Sequence, residues 1–201
     1  MRHAHAAVLL AAAVLAGCGQ PLLSAQLEIP EIRITQPAQR FPAAAPDPSY
    51  LCEIVAANCV KTDVSYDLGA EVPVFGEEGI TFDLRLTDVA LHLVADPDPL
   101  STATTPANLA GVESVKVMTR PPGSTAAWTI VAAYSKTPGA SPTAIAVSGE
   151  SNIDLGPYLS GGKLDARVEV TYDLANPTPD FFADIEAGFS LVVTLDYDAY
   201  L

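Results

Sequence analysis

Basic residues are scarce in this chain. Ten Lys and Arg stand against 24 Asp and Glu in 201 residues, a formal charge of −14. Nucleic acid is gripped by clustered Lys and Arg, so this balance argues against it as a partner. It also argues against an electrostatic hold on anionic lipid headgroups. What remains is a solvated acidic surface, complementary to cations or to a basic partner. Histidine is scarcer still. Beyond His3 and His5 there is only His92, so any Ser-His-Asp triad must use it. The chain has no G-x-S-x-G elbow, no phosphate-binding glycine loop and no nucleotide fingerprint. A glycosidase needs two carboxylates at a set separation, and nothing in the sequence selects a pair from so many acids. Long apolar runs, amphipathic helical periodicity and internal repeats are missing as well.

What is there begins at the N-terminus, with "MRHAHAAVLLAAAVLAGC". Arg2 leads an apolar run from Ala6 to Ala16, followed by Gly17 and Cys18. A spanning helix needs about 20 apolar residues. This run is shorter, and Gly19, Gln20 and Pro21 break it. A basic start, a short apolar stretch and small residues before a cut make a secretory signal. Leu15-Ala16-Gly17-Cys18 resembles the lipobox of bacterial lipoproteins. That resemblance implies removal of residues 1–17, acylation of Cys18 and a membrane as the first partner. Several acyl chains on one cysteine hold a protein firmly, where one short chain binds only marginally. In lipoproteins of the enterobacterial type an Asp after the cysteine favours the inner membrane. Gly19 stands there instead, which points to the outer membrane. The rival reading is an ordinary cleaved signal with a chance cysteine.

Cys52 and Cys59 are the other two cysteines, with six residues between them in "YLCEIVAANCVKT". An exported chain meets an oxidising compartment, where such a pair forms a disulfide. A zinc site is the alternative, but the spacing is too long and no histidine is near. No cofactor is expected.

The rest of the chain alternates apolar and polar residues. Residues 18–26 read as a lipidated tether, and 27–201 as one domain. "LEIPEIRIT" reads as a strand with an edge position implied by Pro30. "QPAQRFPAAAPDPS" reads as an irregular excursion, the cysteine segment as a loop, and "AEVPVF" as a short strand. "GITFDLRLTDVALHLVA" changes parity after Asp88, from Leu84 and Leu86 to Val89 and Leu91. A period-two pattern cannot change parity without changing face unless a β-bulge intervenes. One bent strand bulged near Thr87-Asp88 is the reading, two strands the alternative. "VESVKVMT", "AWTIVAAYS" and "TAIAVSG" follow as strands, with Trp128, Ile130, Ala132 and Tyr134 assigned to the core face. "NIDLGPYLSGG" reads as a crossover with one helical turn. "LDARVEVTYDL" places Leu164 to Leu174 on one face, and "ADIEAGFSLVVTLDYDAY" does the same from Ile185 to Tyr197.

Strict alternation gives each strand one buried and one wet face, as in antiparallel sheets. The expected fold is all-β: an antiparallel two-sheet sandwich of Ig-like, Greek-key type, with about seven or eight strands. A closed barrel is the alternative. The order of segments is also similar to a set of bacterial secreted lipoprotein sandwiches of unknown function. "GITFDLRLTDVALHL", "GVESVKV", "NIDLGPYL" and the two long final strands carry that similarity. It implies a β-sandwich and no activity.

Few residues invite chemistry. Asp96 and Asp98 in "ADPDPLSTATT" are weak calcium candidates, since the spacing is not that of a calcium loop and Asp-Pro pairs form turns. Asp196 and Asp198 flank Tyr197 on a wet face and serve solubility. His92 falls on the face opposite Leu91 and Leu93, toward solvent. Of Phe181 and Phe182, Phe181 closes the end of the sandwich. The expected function is a membrane-anchored envelope lipoprotein, non-enzymatic, acting as a binding or structural module with an envelope protein or glycan as partner. The alternatives are an envelope carrier of an apolar ligand and an exported hydrolase.

Overall fold

A computed structural model describes residues 11–13, 23–42, 52, 58–72, 80–98, 105–121, 123–150, 152–175 and 180–197. The strands are β1 (Ala11–Ala13), β2 (Leu23–Phe41), β3 (Cys59–Asp67), β4 (Ile80–Val94), β5 (Val112–Thr119), β6 (Thr129–Ser135), β7 (Ala144–Ser148), β8 (Leu159–Ser160), β9 (Lys163–Tyr172) and β10 (Phe181–Tyr197). They form two antiparallel sheets. The first has the order β1-β2-β10-β4-β7; the second has β3-β9-β5-β6, with β8 on β9. This is a two-sheet sandwich and not a closed barrel. Among the described residues no helix is long and apolar enough to cross a membrane.

Alternation sets the layers. On β10, Ile185, Ala187, Phe189, Leu191 and Val193 all face inward and are buried. Val64 and Tyr66 of β3, Val115 and Val117 of β5, and Leu164 to Tyr172 of β9 at every second position meet them. Each fully buried Val, Leu, Ile or Phe among them contributes about 1.5–3 kcal/mol. Phe41 stacks on Phe181 with centroids 4.9 Å apart, and Tyr172 meets the same ring edge-on at 6.4 Å. Phe181 thus closes one end of the core, as expected.

The parity change in β4 is a bulge within one strand. Asp88 pairs with Gly188 and Leu86 with Phe189, so Thr87 is the extra residue. Leu84, Leu86, Val89 and Leu91 all reach the core because of it. In β2, Pro30 falls where the register with β10 shifts between Phe189 and Leu191. The strand is an outer one along most of its length, since β1 pairs only with Ser24, Ala25 and Gln26.

β2 begins at Leu23, within the segment read as tether, and β1 lies within residues 1–17, the segment read as leader. Several other expectations are corrected. β2 also runs past Thr35 to Phe41, through sequence read as irregular. A second bulge makes this possible: Pro37 and Ala38 stand opposite Asp184. Ala38 takes a φ of 47°, and its N–H donates to Asp184 Oδ1 at 2.8 Å. The acidic side chain supplies the acceptor that the ladder lacks there. Cys59 to Thr62, the end of the cysteine segment read as loop, open a strand of nine residues, Cys59–Asp67. Ala70 and Glu71, read as strand, belong to a single helical turn, α1 (Leu68–Glu71), and 73–79 lie outside the described residues. Leu174 lies beyond the end of β9 and is exposed. The helical turn expected in the crossover is a 3-10 turn, Gly156–Tyr158.

Two seams join the layers. On one side Gln36 Nε2 donates to Ser65 O at 2.7 Å, from β2 to β3. On the other, Gly149 N–H donates to Thr87 O and Glu150 N–H to Val131 O, both at 2.8 Å. The residues just past β7 therefore bond to both sheets.

Candidate functional site

The outer face of the second sheet carries a row set by register. Asp63 on β3 pairs with Arg167 on β9, Arg167 with Met118 on β5, and Met118 with Ile130 on β6. Their neighbours Val64, Ala166, Val168 and Val117 belong to the inter-sheet core, so this row points out of the sandwich. Met118 is buried without belonging to that core, and Ile130 is 41% exposed.

Trp128 lies over this row. The expectation that Trp128 and Ile130 face the core with Ala132 is wrong. Met118 pairs with Ile130 but Val117 with Ala132, so Val131 is an extra residue. The bulge turns Val131 and Ala132 inward and leaves Ile130 and Trp128 on the outer side. The strand reads "TIVAAY", where consecutive apolar residues make parity ambiguous. The outward register of Arg167 and Met118 is the signal that resolves it.

Two guanidiniums attend the indole. The Arg120 carbon lies 4.4 Å from the ring centroid and that of Arg167 4.3 Å. Such contacts contribute about 0.5–1 kcal/mol when exposed and about 2 when desolvated. Arg167 is nearly covered, its side chain 7% exposed, and a covered charge requires a partner. Asp63 provides it with two bonds, Nε to Oδ1 at 2.8 Å and Nη2 to Oδ2 at 3.2 Å. Arg120 differs: among the described residues it has no carboxylate partner. Trp128 Nε1 is buried and has no acceptor among the described residues. A donor left so costs about 1–3 kcal/mol.

Asp63, Ser65, Arg120, Trp128, Asp165 and Arg167 line a groove of about 350 Å³. That volume is at the lower end for small-ligand sites. Thr119 fixes its floor, donating its hydroxyl to Asp165 O at 2.9 Å from a fully buried position. The groove holds two cations and two carboxylates, a neutral spot on a strongly acidic protein. Such a surface offers both donors and acceptors to a polar group.

The residues singled out from sequence lie elsewhere. Cys52 and Cys59 form a disulfide with Cα atoms 5.6 Å apart. Glu169 has a carboxylate oxygen within 4.8 Å of both sulfurs, but the sulfurs are bonded to each other and offer no thiolate to a metal. Asn58 anchors this loop, exchanging hydrogen bonds with the Tyr172 backbone at 2.8 and 2.7 Å. His92 is exposed on β4, across from Asp184 and Ala144. Asp96 accepts from the Asp98 backbone N–H at 2.9 Å, a turn geometry. Cys18 and Asp198 lie outside the described residues, as do the side chains of Asp196 and Tyr197. Cys52, Cys59, His92, Asp96 and Asp98 do not line the groove.

No protein-family model, curated protein or solved structure matches this chain.

Proposed function

We propose that the protein is a lipid-anchored module of the bacterial envelope, held at the outer membrane through Cys18, that works by binding and not by catalysis. The observation that carries this reading is where space is left. Between the sheets Tyr66, Tyr172, Phe41, Phe181 and Phe189 are all fully buried, whereas the 350 Å³ groove opens on the outer face of the second sheet. A carrier of an apolar ligand needs an apolar cavity where those rings pack. The Leu15-Ala16-Gly17-Cys18 motif supports the anchor.

The geometry also supports presentation of the groove away from the anchor. Cys18 precedes the start of β2 by five residues, a reach of about 17 Å. Gln36, thirteen residues into β2, is the residue that bonds to Ser65 at the groove. At about 3.3 Å per strand residue the groove stands about 40 Å along β2 from its anchored end.

Two measurements test this. Cys18→Ser should move the protein from membranes to the soluble fraction and change the mass of its N-terminal peptide. Unchanged fractionation and mass would refute the anchor. A photo-cross-linker at Ile130 should give a discrete adduct in cells, and one at Thr35 on the first sheet should not. Equal behaviour at the two positions would refute the assignment of the contact face.

A further inference from the structure

We propose that the groove beside Trp128 binds a small monocarboxylate that also carries hydroxyl or ammonium donors, with Arg120 holding the carboxylate. This deepens the reading of the second sheet's outer face as a contact surface and rests on it. Three observations converge. First, Arg120 has no carboxylate partner among the described residues, although the chain has more than two acids for every base. A guanidinium fork matches a planar carboxylate with two parallel bonds. Second, the Arg120 guanidinium carbon lies 4.4 Å from the Trp128 ring centroid, and the indole N–H of that ring is buried without an acceptor. In the complex Arg120 holds the carboxylate beside the ring, and the indole N–H donates to one of its oxygens. An unsatisfied donor is thereby converted into a ligand contact. Third, the same groove is lined by acceptors. Asp165, with Asp63 already bonded to Arg167, suits a ligand bearing hydroxyl or ammonium groups close to its carboxylate.

Charge selects among anions. Within the groove the two arginines and two aspartates cancel, and the rest of the protein is acidic. A monoanion is therefore favoured over a phosphate dianion. The volume of about 350 Å³ suits a ligand of one sugar or one amino acid.

Trp128 is the sole tryptophan, so its indole N–H gives the one signal of its kind in a proton–nitrogen correlation spectrum of the purified full chain. The probes are D-glucuronate, glycine, D-glucose and inorganic phosphate. Glucuronate or glycine should shift the indole signal saturably, at least tenfold more tightly than glucose or phosphate. Which of the two binds more tightly distinguishes a sugar acid from an amino acid. Arg120→Gln should weaken that binding at least tenfold, with the melting temperature and the dispersion of the spectrum retained. Arg85→Gln, on the other sheet, should leave it unchanged. The proposal is overturned by glucose binding as tightly as the carboxylates, by an unaltered affinity in Arg120→Gln, or by no response to either carboxylate at about 50 mM, well above a Kd of about 1 mM. Failure of the anchor appears in fractionation and failure of the contact face in cross-linking. Neither changes the indole signal, so the three outcomes are separable.

Discussion

The two wet faces of the sandwich use their few cations in opposite ways. On the first sheet each arginine is paired. Arg33 bonds Glu31, Asp88 at 3.2 Å and Glu186 at 2.8 Å; Arg40 bonds Asp180 at 2.6 Å; Arg85 bonds Asp83 at 2.6 Å. The hydrogen bonds Arg33 donates to Glu31, Glu186 and Asp88, in that order of effect, raise its guanidinium above its ordinary value. The Arg85 hydrogen bonds hold the Asp83 carboxyl below the usual range. On the second sheet Arg167 is paired but Arg120 rests on an aromatic ring. A chain short of bases neutralises one sheet internally and leaves a cation uncommitted on the other. The first face is neutralised by its own ion pairs; the second is the face proposed to take a ligand.

A single glycine makes the first network possible. Gly188 on the central strand pairs with Arg33 on one side and Asp88 on the other. A Cβ there would lie 2.3 Å from Asp88 Oδ1. Without it, Asp88 leans across the strand to reach Arg33.

The comparison holds only while the layers stay joined, and the largest effect is expected at their seam. A Cβ on Gly149 would lie 2.1 Å from Leu86 O, a backbone atom that cannot rotate away. Gly149→Ala should destabilise by about 3 kcal/mol. At Gly188 the obstructing atoms are the ends of Asp88 and Thr87 side chains. Gly188→Ala should therefore cost less, about 1 kcal/mol, with loss of the Asp88–Arg33 pair. Denaturant midpoints at constant slope check both. Equal costs would show that the seam is no more rigid than the outer face.

Next comes the disulfide, which ties Cys59 at the start of β3, an edge of the second sheet, to Cys52. The first sheet holds its own outer strand by long pairing between β2 and β10. Closing a loop this short stabilises by about 2.5 kcal/mol on the chain-entropy estimate. The double variant Cys52→Ser/Cys59→Ser should lose about that amount. Hydrogen exchange should accelerate first in β3, with β10 retaining its protection. Equal acceleration in both would deny the two sheets separate edges.

The inner faces differ too, and pH reveals it. The first sheet puts Phe41, Phe181 and Phe189 into the core, and the second puts Tyr66 and Tyr172 there. Both tyrosine hydroxyls are buried without partners among the described residues. Burial pushes both above the ordinary value, with the Asp180 charge adding to the effect at Tyr172. An unfolded tyrosine loses its proton near pH 10, whereas these keep theirs to higher pH. Their contribution is unchanged below about pH 10 and is lost as pH rises beyond it, by up to about 1.4 kcal/mol per pH unit for each group. Tyr66→Phe should flatten that slope by one tyrosine's share and change stability by about 1 kcal/mol or less at pH 7. An unchanged alkaline slope would mean that Tyr66 ionises freely in the fold.

What the sequence revealed and concealed follows the same physics. The Thr87 bulge was legible because parity changes within one continuous run. The inward set of β10 was legible because it alternates without interruption from Ile185 to Val193. β3 was equally patterned, with Val60, Val64 and Tyr66 against Lys61, Asp63 and Ser65, but the cysteines drew its first residues, Cys59 to Thr62, into a loop reading. The end of β2 was hidden by Pro37 and Ala38, whose bulge needs Asp184, 146 residues away, to complete it. Trp128 was assigned to the core because the bulge at Val131 sits in a run of apolar residues. The groove itself is non-local: Asp63 meets Arg167 across 104 residues, and no spacing rule announces that.

The smallest expected effect tests the comparison most directly, by setting Arg33 against Arg120. Arg33→Gln leaves Glu31, Asp88 and Glu186 close together without their cation. Arg33 is 43% exposed, so solvent screens the loss, which should be at most about 1 kcal/mol. The cost should be greatest at low salt and vanish at about 1 M, where the Debye length is about 3 Å. Arg120→Gln removes a cation with no acidic partner among the described residues, so its cost should be smaller and nearly independent of salt. Thermal melts of the two variants at low and high salt check this. A salt-dependent loss in Arg120→Gln equal to that in Arg33→Gln would place Arg120 in an ion-pair network of its own, and the distinction between a neutralised face and a receptive one would fail.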